Sequence, residues 1–404
     1  MFLGKAVERI RAVALVCLDS LLILSTPRSA PHTDRVMIAR VDEIGDFVLW
    51  LDAAQALIQY YKASGKSVVL IANQAWAAWA TDLAIFETVV AVNVTKFQGE
   101  PIYRYRVGRQ IRKLGCSVAV EPSYSHNWLL GDSIIRVSGA KVRIGSIGDR
   151  STLRRAQRRI ANRWYTQLIT ADSSQCTELE RNAEFVRNLA NFDFHPKLAN
   201  LNKLMTLRLD DAFTSAIAGQ PYYVFFPGAS WEGRQWSISN FAEMAEKLCK
   251  QTGWQGVVCG GPSDVELAAA LCARSAAPLL NWAGRTDLAQ LAAILSASRL
   301  LLTNETSAVH IAAACGTPTV CLLGGGHYGR FMPYQVQQTM NPPLPRAVIH
   351  PMPCFGCNWE CIYQRRPGAP VPCIERIDRT EVWQAISETL DRAQQQEAGV
   401  PLHK

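Results

Sequence analysis

Several signatures are missing from this 404-residue chain, and each absence removes a class of protein. There is no G-x-x-x-x-G-K-[ST], which excludes a P-loop NTPase. There is no Asp-x-Asp, which argues against a diphosphate held through a metal. The glycines of "LLGGGHYGR" do not read as a dinucleotide fingerprint opening a helix, so a Rossmann dehydrogenase is disfavoured. No short-period repeat and no low-complexity tract occurs. The apolar run from Val13 to Leu24 is too short to span a bilayer. Acids are lacking from Arg150 to Arg163, "RSTLRRAQRRIANR", although the net charge of the whole chain is only +8. No aromatic residue interleaves those arginines before Trp164 and Tyr165, which argues against nucleic acid and leaves a solvated face or a phosphate-bearing or membrane-surface partner.

What is present is the composition of a soluble globular protein, 49% hydrophobic and 19% charged, long enough for two domains. The N-terminal "KAVERIRAVALVCLDSLLILSTPRSA" has a basic start and an apolar run, as a secretory signal does. Asp19 interrupts the run and no small-x-small site follows, so residues 1–30 are expected to form an interfacial or domain-packed helix. Eight of the twelve cysteines sit singly within apolar stretches, which suits a reducing cytoplasm. The other four, Cys354, Cys357, Cys361 and Cys373, form a C-x2-C-x3-C-x11-C cluster. A structural zinc or iron–sulfur site is the alternative there to packing cysteines, reduced or disulfide-paired, and packing is preferred.

Strand and helix patterns alternate. "RVMIAR", "SVVLIA", "TVVAVN" and "SVAVEP" are short apolar strands separated by helical spacers, which implies parallel pairing through crossover helices. A polar stretch from Ser151 to about Asp211 reads as helical. The alternation then resumes with "YYVFFPGAS", "QGVVCGGPS", "PLLNWAG", "RLLLTNE" and "TPTVCLLGG". The expected architecture is α/β with two doubly wound halves, residues 31–211 and 212–404, facing a central crevice.

Ligands of such sheets bind where strands end and loops enter helices. In "NETSAVHIAAACGTP", Thr306 or Ser307 can cap a helix that stops at Gly316, and the free N–H groups at its start favour an anion. His310, in the opening turns, would add a hydrogen bond or a positive charge. Ser230 and Arg234, in "PGASWEGRQW", can hold phosphate oxygens. Gly261 allows close backbone approach, and Asp264 can accept from paired sugar hydroxyls or merely cap its own helix. Three such loops in one half of the chain point to a nucleotide-diphosphate site.

Together "RVDEIGD", "PGASWEGRQWSISNFAEMA", "GGPSD" and "AGRTDLAQLAAILSASRLLLTNETSAVHIAAACGTPTVCLLG" resemble glycosyltransferase family 9, the heptosyltransferases of lipopolysaccharide assembly, over residues 35–335. "TELERNAEFVRNLA" is similar to the family's interdomain helix. The resemblance implies a GT-B fold of two Rossmann-like domains. It implies inverting, metal-independent transfer of a sugar, commonly from ADP-heptose, to a lipid-linked glycan. Asp46 matches the family's proposed base and Arg234 a lysine near the diphosphate. Asp264 matches an acid near the donor ribose, and Thr306, Ser307, Ala308 and His310 match the segment around diphosphate and sugar. Glu305 stands where the family more often has Asp, one methylene shorter. Arg154 and Arg155 are assigned to the acceptor, and the enzyme is expected in the cytoplasm, peripheral at the inner face of the membrane. The alternatives are a sugar-nucleotide epimerase of similar fold or a non-catalytic nucleotide-sugar-binding protein.

Overall fold

The computed structural model describes residues 2–27, 32–149, 155–172, 176–336 and 344–398. Two compact units emerge, one of residues 1–174 and 179–196, the other of residues 175–178 and 197–404. Residues 197–211, assigned on sequence to the N-terminal half, pack with the second unit.

The first unit holds strands β1 (His32–Arg40), β2 (Ser67–Asn73), β3 (Thr88–Val92), β4 (Cys116–Glu121), β5 (Val142–Ser146) and β6 (Gln167–Ile169). They form one sheet in the order β3-β2-β1-β4-β5-β6, parallel throughout. Val36, Met37, Ile38 and Ala39 of β1 are fully buried. That is the continuous apolar run expected of a parallel strand covered on both faces. On one face Phe47 stacks on Trp76 with ring centroids 4.1 Å apart.

The second unit holds β7 (Tyr222–Phe226), β8 (Gln255–Val258), β9 (Leu279–Asn281), β10 (Leu301–Asn304), β11 (Thr319–Leu322) and β12 (Arg346–Val348). Its order is β12-β11-β10-β7-β8-β9, again parallel. Read from β9, this is the same third-second-first-fourth-fifth-sixth winding as in the first unit. In both, the order reverses between the first and fourth strands, β1/β4 and β7/β10. In sheets of this kind that is where a crevice opens for ligand.

The helix Phe2–Ser25 packs on the first unit, and no helix among the described residues is long and apolar enough to cross a membrane. Ala12, Leu15 and Leu22 are buried along its inner face. The residue that interrupts the apolar run is its anchor. Asp19, 1% exposed, receives Arg104 Nε and Nη2 of the Pro101–Lys113 helix, both at 2.7 Å, and the hydroxyl of Ser133. Such a two-pronged charged pair is strong where water is excluded. Gly108 lets the two helices approach, since a Cβ there would meet Leu22 Cδ1 at 2.7 Å. Arg112 Nε donates to Thr26 O at 2.6 Å, tying down the carboxyl end.

Candidate functional site

In the second unit the switch point lies between the loops after β7 and β10, and Asn304 sets how those loops meet. Fully buried at the end of β10, it donates from Nδ2 to Pro227 O (2.6 Å) and accepts from Trp236 N (3.1 Å). The β7 loop is thereby stapled against the β10 loop. Arg234, at the end of a 3-10 turn (Glu232–Arg234), then reaches across: Nη2 donates to Glu305 O at 2.7 Å and to Glu305 Oε2 at 3.1 Å. Its Nη1 donates to Ser230 Oγ at 3.2 Å, and the guanidinium lies 4.5 Å over the Trp359 ring. Ser230, Arg234 and Glu305 are thus brought together. Asn304 was missed on sequence, although it stands first in the "NETSAVH" block.

The following helix, Ser307–Cys315, starts at this pair. Thr306 is its N-cap and accepts from Ala308 N at 3.3 Å; Gly316 ends it with φ +82°. Ala308, Ile311 and Ala312 are fully buried, so small side chains let the helix lie close to the sheet. The start of this helix, at Thr306 and Ser307, lies at the same end of the sheet as Arg234.

Two charges were not legible beforehand. Glu305 is 4% exposed, and burial raises its carboxyl to about 7 in spite of the opposing pull of Arg234. Its Oε1 and Arg234 Nε are buried without a hydrogen-bond partner among the described residues. His310 is also 4% exposed, and burial, reinforced by Arg234, lowers it to about 3. Its Nδ1 lies 2.6 Å from the Tyr334 hydroxyl and its ring packs on Phe331 and Tyr334. Of the hydrogen bond or positive charge expected of His310, the burial of the ring favours the first.

Asp264 and Gly261 come together in a loop that uses the carboxylate locally. Asp264 Oδ2 accepts from Gly261 N at 2.8 Å, while a Cβ on Gly228 would lie 2.5 Å from that carboxylate. A side chain at Gly228 would displace that carboxylate, so the glycine lets the β7 and β8 loops meet.

In the first unit the residues at the β1/β4 switch point are acidic. Asp42 receives Arg40 Nε at 2.9 Å and Ser123 Oγ, from beyond β4, at 3.4 Å. Its carbonyl accepts from Asn73 and Trp76. Asp46 is half-buried in the first turn of the Ile44–Ala63 helix. That helix begins at Ile44. Glu43, not Asp46, occupies the N-cap position, so capping does not explain Asp46. Arg155 is exposed, whereas Arg158 of the same helix (Arg155–Asn162) turns inward and donates to Ser146 O at 3.1 Å. Arg154 lies outside the described residues.

A buried set that sequence reasoning missed follows β4. Glu121, His126, Asp132 and Tyr165 are all buried. His126 Nδ1 lies 2.5 Å from Asp132 Oδ1 and 3.0 Å from Glu121 Oε2; the Tyr165 hydroxyl donates to both carboxylates. Burial alone would lower His126, but the two acids outweigh it and raise it to about 10. Three ligand atoms here lie within 4.8 Å of one another, as at a metal site. The spacings are those of hydrogen bonds, tighter than the roughly 3.3 Å between ligands that tetrahedral bonds of about 2.0 Å require. The set reads as a buried imidazolium held by two acids. Cys354, Cys357, Cys361 and Cys373 line one small cavity with Trp359 and Met352, all as free thiols. Gly325 N donates to Cys373 Sγ at 3.4 Å.

Comparison with known proteins follows the same lines. A family model described as glycosyltransferase family 9 (heptosyltransferase) matches residues 134–354. Lipopolysaccharide heptosyltransferase 2 of Salmonella typhimurium is 34% identical over 110 residues, 26% of this chain and 31% of that protein. Lipopolysaccharide heptosyltransferase 1 of Pseudomonas aeruginosa is 33% identical over 129 residues, 30% of this chain and 35% of that one. The matched stretch thus spans about a third of the length of these curated relatives. Among solved structures, E. coli ADP-heptose lps heptosyltransferase II has a TM-score of 0.62 at 17% identity, covering 89% of this chain and 99% of that one. The iron-containing heptosyltransferase TibC, in complex with ADP-D-beta-D-heptose, has a TM-score of 0.53 at 10% identity, covering 90% and 78%. Both share the two-sheet α/β architecture, the GT-B fold.

Proposed function

Because this chain belongs to glycosyltransferase family 9 (heptosyltransferase), we propose that it moves a heptose from ADP-heptose to a lipid-linked glycan such as the lipopolysaccharide core, with inversion. The observation that carries this reading is the arginine at the β7/β10 switch point, held over the start of the Ser307–Cys315 helix. Breaking the bond from the anomeric carbon to the diphosphate leaves negative charge on the departing nucleotide. A guanidinium and a helix N-terminus are preorganised donors for that charge. Thr306, Ser307 and Ala308 supply the N-terminal turn, and Ser230 orients Arg234. Glu305 Oε1, buried and without a partner, offers an acceptor or, when protonated, a donor to the sugar. Neutral His310 positions the turn through Tyr334. Gly261 and Asp264 form the loop assigned to the ribose.

The acceptor hydroxyl attacks the anomeric carbon and gives its proton to a carboxylate, which we assign to Asp46. Arg155, with Arg154, is assigned to acceptor phosphates. The enzyme works at the inner face of the cytoplasmic membrane as a peripheral protein, in this reading without a catalytic metal. The four clustered cysteines are read as reduced packing residues; protein purified without added metal should then carry well under one equivalent of zinc or iron.

A labelled nucleotide-sugar panel, offered with a deacylated core acceptor and with and without chelator, tests the proposal. Release of nucleotide with a glycosylated acceptor, undiminished by chelator, is expected. A changed sugar without transfer would make the protein an epimerase. Binding without turnover would make it a carrier of nucleotide sugars.

A further inference from the structure

The N-terminal helix turns its apolar side chains the wrong way for a helix that is only packed. Ile10, Val13, Leu21 and Leu24 are 70%, 59%, 61% and 83% exposed, and Ala14 and Cys17 are exposed between them. Positions 10, 13, 17, 21 and 24 recur at intervals of three and four, which puts them on one face. The opposite face, Ala12, Leu15, Asp19 and Leu22, is the one that docks on the unit. The outward stripe is about 20 Å long at the rise of an α-helix. Between residues 10 and 25 the one acid is Asp19, and it is buried.

The adjoining helix continues the surface with charge of one sign. Pro101–Lys113 contains no acid. Arg104 and Arg112 are buried and hold the N-terminal helix, whereas Arg106, Arg109 and Lys113 are exposed, with Ile102 77% exposed among them. Tyr105 joins the two surfaces: its hydroxyl lies 3.1 Å from Ser25 Oγ, and Arg109 lies 6.0 Å over its ring. An apolar stripe bordered by cations matches a leaflet with anionic headgroups, apolar side chains entering the acyl boundary and basic ones staying at the phosphates. A second copy of the chain fits less well, because a two-fold contact through this stripe would set like-charged rows near each other.

We infer that the outer face of helix Phe2–Ser25, with Arg106, Arg109 and Lys113, docks the protein on an anionic bilayer surface with the helix lying in the interface plane. The inference deepens the membrane side of the function proposed above and is independent of the donor site.

Sedimentation with vesicles tests it, using phosphatidylcholine alone and phosphatidylcholine with about a third phosphatidylglycerol, at low and high salt. Wild type should partition to the anionic vesicles and be released partly by salt. Leu21→Glu/Leu24→Glu should lower that partition by at least about tenfold, with melting temperature and ADP binding unchanged because both side chains already face solvent. Arg106→Glu/Arg109→Glu should abolish the preference for anionic over neutral vesicles. Wild type that ignores anionic vesicles, or a Leu21→Glu/Leu24→Glu protein that binds them as well as wild type, overturns the inference. So does a wild-type dimer that the same pair of substitutions converts to monomer while vesicle binding persists; the stripe would then belong to a second copy. Transfer to the deacylated acceptor needs no membrane, so failure here leaves the transferase proposal standing, and the reverse holds too.

Discussion

Replacing Glu305 by Gln perturbs one buried carboxyl and should reveal itself through pH. The wild-type group is raised from an ordinary 4.5 to about 7, chiefly by burial. Below 4.5 the group is protonated in folded and unfolded chains alike and costs nothing. Between 4.5 and about 7 the folded chain keeps a proton that the unfolded chain has lost. Folding therefore takes up protons, and stability falls as pH rises through that window. Above about 7 the full cost applies, about 3 kcal/mol at 1.36 kcal/mol for each decade. Gln carries no charge at any pH and keeps an acceptor for Arg234. The variant should thus match wild type near pH 5 and exceed it at pH 8. For a unit of roughly 200 residues about 3 kcal/mol corresponds to roughly 6–12 °C in melting temperature. Thermal melts of both proteins from pH 5 to pH 8 measure the difference, in which every other titrating group cancels. A pH-independent difference, or a variant less stable than wild type at pH 8, would refute the reasoning. The carboxyl would then ionise normally, with Arg234 compensating its burial in full.

Arg234→Ala should weaken ADP binding by about one to two decades, since it removes the charged fork at the switch point. It also strands Glu305, so Arg234→Ala/Glu305→Gln should regain stability at pH 8 without regaining affinity; recovery of both by calorimetry would remove Arg234 from the donor site. Asp46→Asn should cut turnover roughly a hundredfold and leave ADP affinity and melting temperature unchanged. A variant that keeps its turnover sends the search for the base to Asp42, Glu43 or Glu305. Arg154→Ala/Arg155→Ala should raise the acceptor KM severalfold at constant donor KM, and unchanged kinetics would return the arginines to a solvated face.

The central strands were legible because burial on both faces writes itself as a continuous apolar run, as in "VMIA" of β1 and "LLLT" at β10. The strands β5, β6 and β12 were not. β5 is "VRIGS" with an exposed Val142, and β6 and β12 are three residues each, too short to stand out from flanking polar sequence. A cap carried the helix start at Thr306, where a hydroxyl accepts from the backbone. The start at Ile44 was missed because Glu43 makes no such bond. The donor-side loops could be named individually, but their joining through Asn304 depends on a register between β7 and β10, some 80 residues apart. His310 shows the limit most clearly. Its type and position left a hydrogen bond and a charge both open, and the burial that disfavours the charge involves Tyr334 and Phe331, which no local spacing ties to it. The same holds for Glu121, His126, Asp132 and Tyr165, gathered from a strand end, a loop, a helix start and the approach to β6.

The buried pair of Asp19 and Arg104 also sets a clock on synthesis. The carboxylate leaves the ribosome 85 residues before the guanidinium and 114 before Ser133. At about 5–20 residues per second, that interval is roughly 5–20 seconds. Throughout it the first helix has neither face covered, and its seat on the nascent unit does not yet exist. A charge at position 19 is then carried bare in the middle of an apolar run. It becomes the helix's fastening once residue 104 arrives.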